Sequence, residues 1–477
     1  MELIDRAEER RRTSLATLDQ DGQSAMGQFF TPGLAAQIIA AAPRIPKDGR
    51  LRVLDPGAGS GILTAAVVDR LHRESPGVAI DVTAVELDES LHATLSETLA
   101  DCERVGATTR LISGDFVAWA MHTTDRFDLV IQNPPYRKLQ SGSSTHTALR
   151  SVGIDVPNVY AAFLALGLRL LDTGGQQVSI TPRSWMNGTY YGAFRHDFVS
   201  RAGIDTLHTF ESRSKVFGDT GVLQEAIIVS ATIGAHPEEV TVHTSHDHRG
   251  VASQRRVAYR EVVTEDFIHV PATQTDADAV SWMARRASCT LDDLGLSVST
   301  GRVVDFRSRE YLTDHRLPSS APMVYPANFQ NNRVVHPQDA ARKPQWFTAD
   351  PATTARMLVP AGTYVLVKRF SAKEEKRRVV SAVWDGEDAP AFDNKVNYLH
   401  DHKHGIEPEI AVGVAKWLNS SQVDAYFRVF SGHTQVNAGD LRQMRFPTLA
   451  QLRALAASTE ETDEAVERIV THEKVAA

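Results

Sequence analysis

From residue 51 to about 232 the chain alternates short apolar runs with longer amphipathic stretches. LRVLD (51–55), VTAVEL (82–87), RLISG (110–114), FDLVIQ (127–132), QVSIT (177–181), DTLHTF (205–210) and AIIVSATI (226–233) read as strands. Between them ILTAAVVDRLHR, ESLHATLSETLADCERV and YAAFLALGLRLL carry apolar residues at helical spacing. Strands alternating with helices predict an α/β domain with a doubly wound, mostly parallel sheet, whose ligands sit at the carboxyl ends of the strands. From about residue 290 the alternation fails. YVLVKRF and RRVVSAVW read as short strands among loops, AVGVAKWLNSSQVDAYFRVF (411–430) as one helix, and a helical tail follows. The expectation is a first domain over 1–260 and a second, mixed α/β domain over 261–477.

Composition narrows this little. With 42% hydrophobic and 23% charged residues the chain reads as globular, and its apolar runs are too short for a membrane span. The opening MELIDRAEERRRTSL is charged and has no apolar core, so it does not read as a secretory signal. Two widely separated cysteines, Cys102 and Cys289, belong to no metal-type cluster and fit reduced thiols in a cytoplasmic protein. The formal charge of −8 argues against a globally basic coat for nucleic acid. It is uneven, with ten Asp/Glu against three Lys/Arg over 81–130 and eleven Lys/Arg against eight Asp/Glu over 331–400. DNA is left open as a partner.

The chemistry lies at strand ends. VLDPGAGSGILTAAV (53–67) runs strand, glycine turn, helix; Gly57, Gly59 and Gly61 allow a close backbone approach to a ligand at a helix N-terminus. Glu86 ends the next strand, where a carboxylate can accept both hydroxyls of a ribose. Asp115 and Phe116 end the third, where an acid can accept an adenine amine and a ring can cover the base. Each alone is a common turn or cap residue. In sequence they describe an adenosine site. The fourth strand ends in Asn133-Pro134-Pro135-Tyr136, whose two prolines remove two donors and fix φ twice. A mere turn is more simply made from Gly or Asn-Gly, so the four residues read as a rigid platform for one amide and one phenol.

GQFFTP (27–32), DPGAGSG (55–61), VELD, GDF and NPPY, in this order, resemble the gamma-class S-adenosylmethionine-dependent DNA adenine-N6 methyltransferases over residues 27 to about 232. The resemblance implies a Rossmann-like methyltransferase sheet with Phe30, Thr31, Asp55, Gly57, Gly59, Glu86, Asp115 and Phe116 around S-adenosyl-L-methionine. It also implies that Phe217 of KVF (215–217) stacks on the target base. FSGHTQVNAGDLRQMRFP (430–447), with TGRVVDFR (300–307) and FDNKVNYL (392–399), resembles the recognition region of the PstI/BsuBI modification methylases. That implies a C-terminal target-recognition domain, double-stranded DNA as partner, a bacterial cytoplasmic location, methylation within CTGCAG, and a separately encoded endonuclease acting on the same site. Gln435, Asn437, Arg442 and Arg445 offer groups suited to base edges and phosphates.

The platform then has a chemical purpose. The adenine amino nitrogen is a poor nucleophile because its lone pair is delocalised into the ring. An Asn133 oxygen and the Pro134 carbonyl, held rigid by Pro135, can accept its two N–H bonds, while Tyr136 stacks on the extruded base. Neither cysteine follows a proline, so the pattern does not suit cytosine-C5 chemistry. No metal is needed, and His243, His246 and His248 read as a solvated loop. Competing readings are an RNA or protein-glutamine N-methyltransferase using the same motif, and a non-catalytic DNA-recognition subunit. The complete cofactor motifs weigh against the subunit. Glu374-Glu375-Lys376 lacks the upstream partner a nuclease would need.

Overall fold

The computed structural model describes residues 2–17, 30–210, 226–248, 250–264, 267–338, 342–348, 354–371, 375–431 and 435–472. The chain forms two compact units, Met1–Thr273 and Gln274–Ala477. The first runs on past residue 260 because the following segment packs back on it. His269 N donates to Val262 O, Ile268 N donates to Met186 O, and the Arg195 guanidinium lies over the Phe267 ring.

The first unit is built on β1 (Arg50–Pro56), β2 (Ala79–Glu86), β3 (Thr108–Ser113), β4 (Phe127–Gln132), β5 (Leu171–Pro182), β6 (Ala202–Phe210), β7 (Ala226–Ile233), β8 (Glu239–Ser245) and β9 (Ser253–Ala258). Their order in the sheet is β3-β2-β1-β4-β5-β7-β6-β8-β9. The run from β3 to β5 is parallel throughout, and β7 is antiparallel to both its neighbours. The chain moves outward from β1 to β3 and returns to place β4 on the other side of β1. The crevice at that reversal is where ligands bind in open sheets of this kind. Beyond the seven runs read from the sequence, β8 and β9 extend the sheet. His243 therefore lies in a strand rather than a solvated loop, because Val240 and Val242 alternate into the core on the opposite face.

Burial explains why these segments fold as they do. In β4, Phe127, Leu129, Val130 and Ile131 are buried, as a strand covered on both faces requires. One face carries the helices Leu3–Thr17, Gly33–Ala41 and Ile62–Glu74, whose apolar residues join Val53, Val82 and Ile131 in a single core. On the helix Val159–Leu170 every described side chain except Arg169 is buried, too apolar around its circumference for a surface helix. At the amino ends of the strands Arg52 binds Asp128 and Asp172, both at 2.6 Å, pinning β1, β4 and β5.

The second unit holds a six-stranded sheet in the order Ser297–Thr300, Val396–His400, Tyr364–Lys368, Ser381–Trp384, Arg333–Val334, Phe329–Gln330. A four-stranded sheet runs Leu312–Thr313, Trp346–Thr348, Ser320–Val324, Ala391–Phe392. The single helix expected over 411–430 is two, Pro408–Leu418 and Ser421–Phe430. Asn419 causes the break by leaving the helical pattern to bind a strand: its Oδ1 accepts from Ser381 N and its Nδ2 donates to Ser381 O, both at 2.8 Å. Ser420 then caps the second helix, accepting from Val423 N at 3.3 Å. Four polar residues, 419–422, interrupt the apolar spacing here, so the break is marked in the sequence although the expectation ran one helix through it. Among the described residues no helix is long and apolar enough to cross a membrane.

Gly413 marks the closest helix approach in this unit. A Cβ there would meet the backbone carbonyl of Leu452, in the helix Leu449–Ala457, well inside van der Waals contact. Backbone cannot swing aside as a side chain can, so Gly413→Ala should destabilise by about 1–3 kcal/mol. The midpoint of chemical denaturation followed by near-ultraviolet circular dichroism should fall accordingly; an unchanged midpoint would show that the helices separate freely.

Candidate active site

The glycine turn after β1 is locked from the neighbouring strand. Gly57 N and Ala58 N both donate to Val85 O, at 2.8 and 3.0 Å. Gly57, Gly59 and Gly61 all have positive φ, at 72°, 58° and 82°, a region that L side chains adopt only with strain. At Gly61, which precedes the helix Ile62–Glu74, an added Cβ would also lie 2.9 Å from Leu95 Cδ1.

Glu86 closes the turn. Its Oε2 accepts from Gly59 N at 2.7 Å and its Oε1 from Asp88 N at 2.8 Å. The side chain is buried, and burial raises its pKa against the lowering effect of those amides. Next along the sheet, Asp115 caps the helix Phe116–Ala120, its Oδ1 accepting from Ala118 N at 3.0 Å. The cap residue and the candidate ligand residue are thus one side chain. Phe116 is buried with its ring centroid 4.6 Å from that of Phe163.

These residues share a cavity of about 300 Å³. Phe30, Gly57, Gly59, Glu86, Asp115, Phe116, Asn133 and Pro135 all line it. Thr31 and Asp55 are not on its wall. Thr31 is buried behind Asn133, its Oγ1 accepting from Asn133 Nδ2 at 3.0 Å. With Nδ2 engaged there, the acceptor oxygen is the other end of the amide. Asp55 lies under the glycine turn, its Oδ2 accepting from Thr64 Oγ1 at 2.7 Å in the first turn of the following helix. Phe217 and residues 27–29 fall outside the described residues.

Pro134 and Tyr136 also lie off the wall. Tyr136 donates its hydroxyl to Ile180 O at 3.3 Å, and the Tyr160 ring meets it edge-on at 6.2 Å and 76°. Burial pushes the Tyr136 phenol up, so it remains a neutral ring. Past the prolines the chain is clamped by a short ladder: Lys138 pairs with Asn158, Leu139 N donates to Pro157 O, and Val159 N donates to Arg137 O. The enclosed segment returns Thr145 and Leu149 to the cavity wall. Those two and Phe163 were missed by sequence reasoning. Phe163 sits in a helix whose pattern says only core, and nothing in STHTALRS marks a ligand wall.

In the second unit the expected DNA-contact residues have structural partners. Asn437 caps the helix Ala438–Gln443 in a reciprocal box with Asp440. Arg442 donates to Val298 O at 2.9 Å, and Gln435 pairs with Phe370 in a β-bridge. The Arg445 carbonyl accepts from Trp417 Nε1 at 3.1 Å. Among the described residues no group of three or more His, Cys, Asp or Glu is arranged to hold a metal ion.

Residues 81–217 match the family model of the Eco57I restriction-modification methylase. The chain is 38% identical over 447 residues to the type II methyltransferase M.BsuBI of Bacillus subtilis, covering 89% of this chain and 88% of that protein. It is 35% identical over 468 residues to the type II methyltransferase M.PstI of Providencia stuartii, covering 94% and 92%. Among solved structures it resembles the Type IIL restriction-modification enzyme MmeI in complex with DNA, with a TM-score of 0.57 at 12% identity over 99% of this chain and 74% of that one.

Asp55 makes the site's pH behaviour testable. Its burial, opposed by the Thr64 hydrogen bonds, raises its carboxyl to about 7. The folded pKa exceeds that of the unfolded chain, so the proton is held more tightly by the folded state. The stabilisation is complete below about pH 4 and is lost as pH rises toward 7, on the order of a few kcal/mol. Thermal melts of the ligand-free protein from pH 4 to 8 should therefore slope less for Asp55→Asn than for wild type. Parallel curves would mean that Asp55 is ionised throughout.

Proposed function

Since this chain belongs to the type II methyltransferases of restriction-modification systems, we propose that it methylates N6 of an adenine turned out of duplex DNA, within CTGCAG. It is a DNA methyltransferase with a Rossmann-like fold, and its methyl donor is S-adenosyl-L-methionine. The observation that carries the adenine reading is the Thr31–Asn133 bond beside the cavity of Glu86, Asp115 and Phe116. The wall that would take adenosine and an oriented amide border one cavity.

The residues present fit the donor. Two of the roughly four lone-pair sites of Glu86 face backbone amides, and the carboxylate also borders the cavity, where ribose hydroxyls can reach it. Phe116 and Phe163 give the adenine an apolar wall, and the backbone at Gly57 and Gly59 lets the chain of the ligand pass closely. When bound, the donor supplies an electrophilic methyl on a sulfonium. Asn133 Oδ1 and Pro134 O accept the two N–H bonds of the substrate amine and localise its lone pair. The prolines fix those acceptors before charge develops, so little reorganisation is needed in the transition state. In this reading Tyr136 stacks on the extruded base, and the second unit selects the sequence. A separately encoded endonuclease of the same specificity completes the system in this reading.

Single-molecule sequencing of DNA from a methylation-free bacterial host expressing the protein should find N6-methyladenine at CTGCAG. The same mark in another motif would overturn the site alone, and its absence would overturn adenine chemistry. Asn133→Ala should lower methyl transfer by roughly 10²–10³-fold while calorimetric cofactor affinity stays near normal. Glu86→Ala should instead weaken cofactor binding, by roughly 1.5–3 kcal/mol for a charge-assisted contact. Unchanged affinity would remove the ribose role.

A further inference from the structure

Four sequence segments of the second unit meet around one turn. Gly301 N donates to Val396 O and Asn394 N to Val303 O, both at 2.8 Å, joining TGRVVDFR to FDNKVNYL. Arg369 N donates to Lys395 O at 2.9 Å, and Val436 N donates to Arg369 O at 2.7 Å, adding the segment around Gln435. The turn at Asn394–Lys395 is the hub.

Two phenylalanines flank that hub. Phe306 is 61% exposed and Phe370 is 42% exposed; they are the exposed aromatic rings of this unit among the described residues. Each has a guanidinium over its face, Arg307 at 5.5 Å and Arg369 at 5.6 Å from the ring centroid. Lys395 and Lys343 gather on Asp305, the residue before Phe306, at 3.1 and 2.5 Å. A single exposed ring needs no explanation. Two rings, each paired with an arginine and each close in sequence to a residue bonded to that turn, offer apolar contact points with cations beside them, while Asp305 takes up the two lysines. That combination matches a DNA groove, where rings meet base edges and thymine methyls while cations meet phosphates.

We propose that Phe306 and Phe370, flanking the Lys395 turn, contact the bases of the recognition site, with Arg307 neutralising a phosphate. The assignment rests on the DNA reading above and goes beyond it. Gln435, paired with Phe370, belongs to the same face, whereas Asn437 is committed to its helix cap.

The test uses the full-length protein with S-adenosylhomocysteine and two labelled duplexes, one carrying the sequence found methylated and one scrambled. Phe306→Ala and Phe370→Ala should each reduce the affinity ratio between the duplexes at least tenfold, with cofactor affinity unchanged as the control for folding. Arg307→Gln should weaken both duplexes alike and reduce the slope of log affinity against log salt by about one. Wild type failing to distinguish the duplexes would sink the DNA reading itself. Wild type discriminating, with both phenylalanine variants discriminating equally well, would overturn this assignment and leave that reading in place.

Discussion

The site depends on where a buried carboxylate finds its partners. Glu86 sits at the end of β2 with little access to water, and the amides of Gly59 and Asp88 hold it. An ionised acid in that position carries a desolvation cost that hydrogen bonds must offset. It gains them only if the turn after β1 bends back toward β2 with left-handed glycines. One side chain therefore dictates the shape of the glycine turn, the start of the helix after it and the distance between two strands. Asp55, under the same turn, is also almost wholly buried.

On the other side of β1 a second constraint works without charge. Asn133 leaves β4 just before two prolines, and Thr31 holds its amide in one orientation. Thr31 comes from far earlier in the chain, so the bond couples the segment before the helix Gly33–Ala41 to the crevice. The Asn133 amide and the turn that Glu86 closes are thus fixed by separate devices. Damage to one should leave the other in place.

Much of this was legible because strand ends are legible. Apolar runs locate β1 to β4, and the polar residue that stops each run must lie at the carboxyl edge of a parallel sheet. Glu86, Asp115 and Asn133 were singled out in that way, and the three line one cavity. Thr31 and Asp55 lie off its wall, since nothing local says whether a residue faces a cavity or lies behind one that does. Phe163 was hidden by a helix apolar on nearly every side, whereas the break at Asn419 is marked by four polar residues that the single-helix expectation passed over. In the second unit, Asn437 and Arg442 looked available because their partners, Asp440 and Val298, become visible only once the helix and strand are placed.

The clamp after the prolines frees the length of a loop from the position of its ends. Residues 137–139 and 157–159 are paired, so the loop between them leaves and returns at one place. A closed loop of that kind can lengthen or shorten at a small entropic cost without moving its ends. Its helix, Ser144–Ser151, contributes Thr145 and Leu149 to the cavity wall. Insertions and deletions there can reshape the wall facing a ligand while Asn133 and Tyr136 stay where they are.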